Sequence, residues 1–336
     1  MPKLPGLVLA FNRADHVEKA MEAIRQYQPE RLYLECDGPR AGKNGEKQAV
    51  EDTRTMMLSK IDWPCDVKTL FREENWGCAK AVNDAITWFF SQEKWGVIIE
   101  DDIVVSQDFF RLCEDLLPRY EHEDRIMEIS AQNHFPKEKN FDTYLYGQEF
   151  HCWGWASWAR AWKKMDMKMT RWPEVTISFL IKKFGLFRGL MMEHYWSDTY
   201  AHIETSTSWA TRWFFSIIIN DGFCILPGNN LAINIGMDGG AHYDRGDKDP
   251  YSYLKLGNLR WPLRYDDDVK INPEVVRQSK ADFKRVRMIG LKKKFRRLPQ
   301  FRNPTNSLRS LRSKLPRMQF LLFKLAFCHI LTDMSA

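Results

Sequence analysis

Polar and apolar positions along the first 130 residues fall into alternating blocks. GLVLAF at 6–11, RLYLECDG at 31–38, DVKTLFRE at 66–73, GVII at 96–99 and RIMEISA at 125–131 read as strands. The first and fourth are apolar throughout, as a strand covered on both faces must be. Between them the spacing predicts helices. Val17, Ala20, Met21 and Ile24 share one face, and Ala79, Val82, Ala85, Ile86 and Phe89 share another within 78–92. Residues 46–59 and 107–117 complete the set. Asp15, with Glu18 three residues on, predicts a capping box for the first helix.

Strands alternating with helices predict an α/β fold with a mostly parallel sheet flanked by helices. Such sheets bind ligands beyond the carboxyl ends of their strands. The residues that follow the first four strands are Asn12 and Arg13, Asp37 and Gly38, Arg72 to Asn75, and Glu100 to Asp102. All but the glycine have polar side chains. From about residue 134 the alternation fades and aromatic segments take over, notably HCWGWASWARAW and TSWATRWFF. We read 1–270 as one domain, with 1–133 binding a nucleotide and 134–270 facing an acceptor. Residues 271–336 form a basic extension.

The chain has 336 residues, 44% of them hydrophobic, and thirteen Trp, enough for a sizeable core and aromatic-lined surfaces besides. Seven Cys without a CxxC pair or metal-type spacing read as reduced thiols of a cytoplasmic protein. MPKLPGLVLAFNRAD does not read as a signal peptide, and no run reaches the roughly 20 apolar residues of a membrane span. The net charge of +6 hides a split: Lys280 to Lys324 carries 15 Lys and Arg against one acid, which leaves the remainder at −8.

GVIIEDDIVVS at 96–106 places three acids between two apolar runs. Acids that merely mark a strand's exit to solvent are common, but here the apolar run resumes at once. Charges flanked by core on both sides are costly unless paired or bound to a metal. Carboxylates suit Mg²⁺ or Mn²⁺, held by one or two of them together with substrate phosphates. A cation there neutralises charge building on a departing diphosphate.

An apolar strand, EDD and a second apolar run resemble the DxD-type motif of GT-A glycosyltransferases. They are most similar to the branch of the N-acetylglucosaminyltransferase that starts complex N-glycans, and to bacterial family-2-like sugar transferases. VLAFNR, ECDGPR, FREENWGCAKAVNDAI, EISAQNHF and CWGWASWARAW follow in that family's order. The resemblance spans roughly residues 6–245. It implies a GT-A fold, with Asp102 on the metal and Glu100 and Asp101 at the ribose or metal-bound water. It also implies Asp37 at the base and Arg13, with Asn12, near the nucleotide. His242 in GMDGGAH matches a late His that often completes the metal shell, the alternative being a loop His without a ligand. Arg72 is a candidate for the diphosphate, against a solvated strand end. Trp153 or Trp155 is expected to touch a donor or acceptor sugar, whereas Trp158 and Trp162, on one helical face with Trp155, read as core.

The match fails at the general base that an inverting transfer needs. Related sequences carry a carboxylate beside the Trp of a Trp-rich motif opening a helix, but here Ser208 and Ala210 flank Trp209. Glu204, Asp198 and Asp238 are the candidates. KKKFRR, LRSLRSKLPR and FLLFKLAFCHIL suit an interfacial helix on an anionic membrane, against a solvated tail or a helix packed on the body. Nothing in them reads nucleic-acid bases.

The resulting expectation is a metal-dependent transferase using Mn²⁺ or Mg²⁺. It moves a sugar from a nucleotide sugar, UDP-linked, to a glycan or lipid-linked hydroxyl in surface polysaccharide assembly. It would work in the cytoplasm, peripheral on the inner face of the plasma membrane. The alternatives are a non-catalytic nucleotide-sugar or glycan binder, supported by the absent base, and a sugar nucleotidyltransferase. FNRADH lacks the Gly-rich loop usual in the latter.

Overall fold

The computed structural model describes residues 3–134, 144–236, 251, 254–265 and 268–282, and Met1–Ser279 cluster as one compact unit. Asp238, His242 and the basic tail beyond 282 lie outside the described residues.

The first half alternates as its pattern predicts. The elements are β1 (Gly6–Ala10), α1 (Ala14–Tyr27), β2 (Arg31–Cys36), α2 (Glu46–Ser59), β3 (Asp66–Phe71), α3 (Cys78–Phe90), β4 (Trp95–Glu100), β5 (Ile103–Val105), α4 (Gln107–Arg119) and β6 (Ile126–Ser130). The second half adds β7 (Tyr144–Gly147), β8 (Trp155–Trp158), α5 (Ala159–Trp162), α6 (Ile177–Phe184), α7 (Leu186–Ala201), α8 (Trp209–Ile219), β9 (Phe223–Pro227) and β10 (Ala232–Asn234).

Eight strands form one sheet in the order β3-β2-β1-β4-β8-β6-β9-β7. β1 to β4 are mutually parallel, and β8 runs antiparallel between β4 and β6. Each of those two is antiparallel to β8, so β4 and β6 point the same way, and β9 follows β6. This is the GT-A arrangement: a mostly parallel α/β sheet flanked by helices. All five residues of β1 are buried, which explains its unbroken apolar run.

Two local expectations are corrected. Trp155 to Trp158 is a strand, and only Ala159–Trp162 is helical. The ladders to β4 and β6 take up its backbone on both sides, which outweighs a helical spacing of tryptophans. No capping box opens α1: Arg13 is the N-cap without a side-chain cap bond, and Asp15 instead holds the adjacent His16 Nδ1 at 3.0 Å.

The apolar run after the acids is β5, which pairs antiparallel with β10 away from the main sheet. Helices α6 and α7 carry a separate small core of Leu180, Phe184, Met192 and Trp196, closed by Phe215 and Ile218 of α8. Among the described residues no helix is long and apolar enough to cross a membrane.

Candidate active site

The parallel strands bring their carboxyl ends to one edge of the sheet. β8 enters the sheet there because it is antiparallel, so the 151–154 segment joins that edge.

Leu9 stands opposite Glu100 in the β1–β4 register, and Asp101 N donates to Leu9 O at 2.8 Å. The acids are therefore held at the end of β1, where Arg13 follows. Arg13 Nη2 donates to Asp101 Oδ1 at 2.5 Å and to Asp102 Oδ2 at 2.9 Å. One guanidinium thus faces three consecutive acids. Burial, then the charges of Asp102 and Asp101, push Glu100 up to about 8, with Arg13 opposing. Burial raises Asp101 to about 6 despite its bond to Arg13. Across the site, Ile235 N donates to Asp102 O at 2.9 Å, and Gly236 lies so near that a Cβ there would come within 2.3 Å of Asp102 Oδ2.

Asp102 Oδ1 is buried and has no hydrogen-bond partner among the described residues. An orphaned carboxylate oxygen beside further acids is what a hard divalent cation takes as a ligand. No group of three His, Cys, Asp or Glu among the described residues could by itself enclose a metal. A cation carried by one or two carboxylates plus substrate phosphates needs no such group, so the donor set fits Mg²⁺ or Mn²⁺.

Asp37, after β2, anchors a loop. Its Oδ1 accepts from Gly38 N and Trp76 N, each at 2.9 Å, and its Oδ2 accepts from Asn75 Nδ2 and Gly77 N, each at 3.0 Å. Asn12 donates to Glu46 Oε1 at 3.2 Å, and the same carboxylate accepts from Arg40 N at 2.7 Å. Sequence reasoning missed this Glu46 link, which no periodicity signals. The role expected of Arg72 is corrected. Its guanidinium is buried, paired with Glu35 and, at 2.7 Å, with Asp84, and stacked 4.8 Å over Trp76. It joins β2 to α3 rather than facing a ligand.

On the acceptor side, Trp155 is also corrected. It is 0% exposed and packs on Trp209, Trp162 and Trp213, so no sugar reaches it. Trp153 is half-buried, its backbone N–H bonded to Gln132 Oε1 at 3.0 Å and its ring 5.7 Å from Tyr251. Ser208 caps α8 by accepting from Thr211 N at 3.2 Å, and that first turn carries no acid. Asp198 is exposed on α7 beside His202, and Glu204 is exposed ahead of α8, its charge felt by Arg212. Among the described residues, neither makes a hydrogen bond or ion pair to the three acids.

The sheet order is that of a GT-A fold, and the family match makes the chain a glycosyltransferase. The chain belongs to the GNT-I family, whose model matches residues 1–177. No curated protein matches it in sequence. Among solved structures, it is similar to the glycosyltransferase GlyE of Streptococcus pneumoniae TIGR4, at 14% identity and TM-score 0.31, over 77% of this chain and 59% of that one. It is similar to mouse xyloside xylosyltransferase 1, at 8% identity and TM-score 0.33, over 80% and 99%. A protein described as a glucose-1-phosphate thymidylyltransferase from Bacillus anthracis aligns at 10% identity and TM-score 0.33, over 49% and 75%.

Proposed function

We propose that this glycosyltransferase moves a hexosyl or N-acetylhexosaminyl group, with inversion, from a UDP-sugar to a hydroxyl of a glycan or lipid-linked acceptor. The reading is carried by the orphaned Asp102 Oδ1, buried where β4 ends, on an acid that Arg13 binds together with Asp101. Asp102 would hold Mn²⁺ or Mg²⁺, with His242 as a further ligand. Such an ion, when bound, neutralises charge on the departing diphosphate. Arg13 holds Asp101 and Asp102 together and would offer its positive charge to the phosphates. Glu100 and Asp101 would contact the ribose or metal-bound water. The loop anchored by Asp37 would cover the base, with Asn12 beside it, and Trp153 would offer its ring to a sugar.

The basic segment from 271 on would keep the enzyme on the anionic inner face of the plasma membrane, near a lipid-linked acceptor. Surface polysaccharide assembly would be its setting.

Nucleotide release from UDP-, GDP- and CDP-sugars with Mn²⁺ tests the reading, comparing wild type with Asp102→Ala. We expect turnover with a UDP-sugar and a loss of about 100-fold or more in the variant. Equal rates would remove the metal role, and binding of nucleotide sugars without turnover would mark a binding protein.

A further inference from the structure

Exposed apolar side chains gather on the hairpin of α6 and α7. Among the described residues eleven large hydrophobic side chains are exposed, and six of them are Ile177, Leu186, Phe187, Met191, Tyr195 and Tyr200. Leu186 and Phe187, 54% and 66% exposed, open α7. Met191 and Tyr195 follow Phe187 at four-residue spacing, so the three share one side of the helix. Met192 and Trp196 face the other way, into the small core closed by α8. Single exposed hydrophobes are ordinary on a protein surface, whereas a row of them marks a contact.

The hairpin is narrow at this end. Only Gly185 separates the two helices, and a Cβ on Gly189 would stand 2.9 Å from Ile181 N. The backbones therefore touch just past the turn, with no room there for a side chain between the helices.

The charge around the tip is positive. Residues 159–190 hold eight Lys and Arg against two acids, Asp166 and Glu174. Lys182, which is exposed, and Lys183 lie in the last turn of α6. Lys183 pairs with Asp221, and Arg171 Nη1 donates to Ile219 O at 3.4 Å, so both reach the carboxyl end of α8. Arg188 pairs with Glu149 at 2.7 Å. Counting Asp221 and Glu149 as well still leaves an excess of four positive charges.

Positive charge alone would suit any polyanion. Exposed apolar side chains beside it need a nonpolar phase directly beneath the anionic groups, and a bilayer offers that combination. Asp198, exposed three residues beyond Tyr195, ends the apolar row, which confines the contact to the tip.

We propose that the tip of the α6–α7 hairpin is a membrane contact of the folded body itself. Leu186, Phe187 and Met191 enter an anionic bilayer, and Lys182 meets its headgroups. The contact needs neither the basic segment from 271 on nor the transferase reading. Joined to that reading, it brings the acceptor half of the chain to the surface where a lipid-linked acceptor lies.

The test uses the full chain with an environment-sensitive fluorescent amino acid at position 187. Vesicles are phosphatidylcholine, with or without phosphatidylglycerol. We expect a blue shift, and quenching by lipids brominated in their acyl chains, that is strong with the anionic vesicles and weak with the neutral ones. Co-flotation then compares wild type with Leu186→Ser/Phe187→Ser, Lys182→Glu and Leu58→Ser. The double variant should bind anionic vesicles about 10-fold more weakly and Lys182→Glu about 3-fold more weakly, while Leu58→Ser, exposed on α2, should match wild type. A fluorophore that neither shifts nor is quenched overturns the proposal, and so does a double variant within about 2-fold of wild type. Loss of self-association in the double variant, by sedimentation and with lipid binding kept, would mark an interface between copies and overturn it too. The fluorescence readout stands even where the double variant folds poorly. Nucleotide-sugar turnover without lipid should be equal in all four proteins, so a failure of lipid binding and a failure of the transferase reading register separately.

Discussion

Arg13 and Asp102 are joined by a 2.9 Å hydrogen bond from Nη2 to Oδ2, and the same nitrogen reaches Asp101 Oδ1 at 2.5 Å. One cation thus bridges two neighbouring acids and lies within the field of a third, Glu100. Arg13→Gln would leave those acids facing one another. Breaking a buried pair costs about 3–5 kcal/mol. Arg13 is 30% exposed, so solvent screening should reduce the loss to about 1–2 kcal/mol. Thermal unfolding should show that loss without metal and recovery of most of it with Mn²⁺. A variant insensitive to Mn²⁺ would argue against a shared counter-charge.

Gly236 is the close approach that protects the site's geometry. Its added Cβ would stand 2.3 Å from Asp102 Oδ2 and 2.7 Å from Arg13 Nη1. Gly236→Ala should displace both groups and weaken Mn²⁺ binding by about 10-fold, near 1.4 kcal/mol. Calorimetric titration with Mn²⁺ measures this directly. An unchanged affinity would place the ion away from Asp102.

Glu128 should give the fold a pH dependence. It is 0% exposed, and burial raises its carboxyl well above its ordinary 4.5. Above pH 4.5 the unfolded chain releases this proton while the folded chain keeps it. Folding stability therefore falls as pH rises, by at most about 1.4 kcal/mol per unit, until the folded group also ionises. Glu128→Gln should flatten that decline, giving a variant that gains on wild type as pH increases. Denaturant unfolding at several pH values checks the sign, and parallel curves would contradict it.

Trp153 and Trp155 should respond in opposite ways. Trp155→Ala removes a ring buried among four aromatic neighbours and should cost about 3–5 kcal/mol of stability. Trp153→Ala should leave the melting temperature nearly unchanged and raise KM for the acceptor. Equal destabilisation by the two would place Trp153 in the core as well.

Much of the first half is legible in the pattern. α2 begins and ends at 46 and 59 as its spacing predicts, and the strands fall within a residue or two of their expected bounds. Local spacing succeeds there because each βα unit buries one helix face and a continuous strand. It misleads at Trp155 to Trp158, where a helical repeat of large apolar residues coincides with a strand covered on both sides. Arg72 failed for a similar reason. Its place after a strand suggested a ligand, but its buried partners Glu35 and Asp84 come from other elements.

By itself the sequence determined the βα alternation, the polar residues at the strand ends and the acid triplet between two apolar runs. These depend on neighbours along the chain. Only the tertiary structure decided that β1 lies beside β4, and so that Arg13 meets Asp101 and Asp102. The antiparallel entry of β8 likewise decided that the 151–154 segment reaches the same edge, with the His151 ring 4.3 Å from that of His134. Side chains far apart in sequence share a site only once the sheet has chosen its strand order and directions, and no local periodicity encodes that choice.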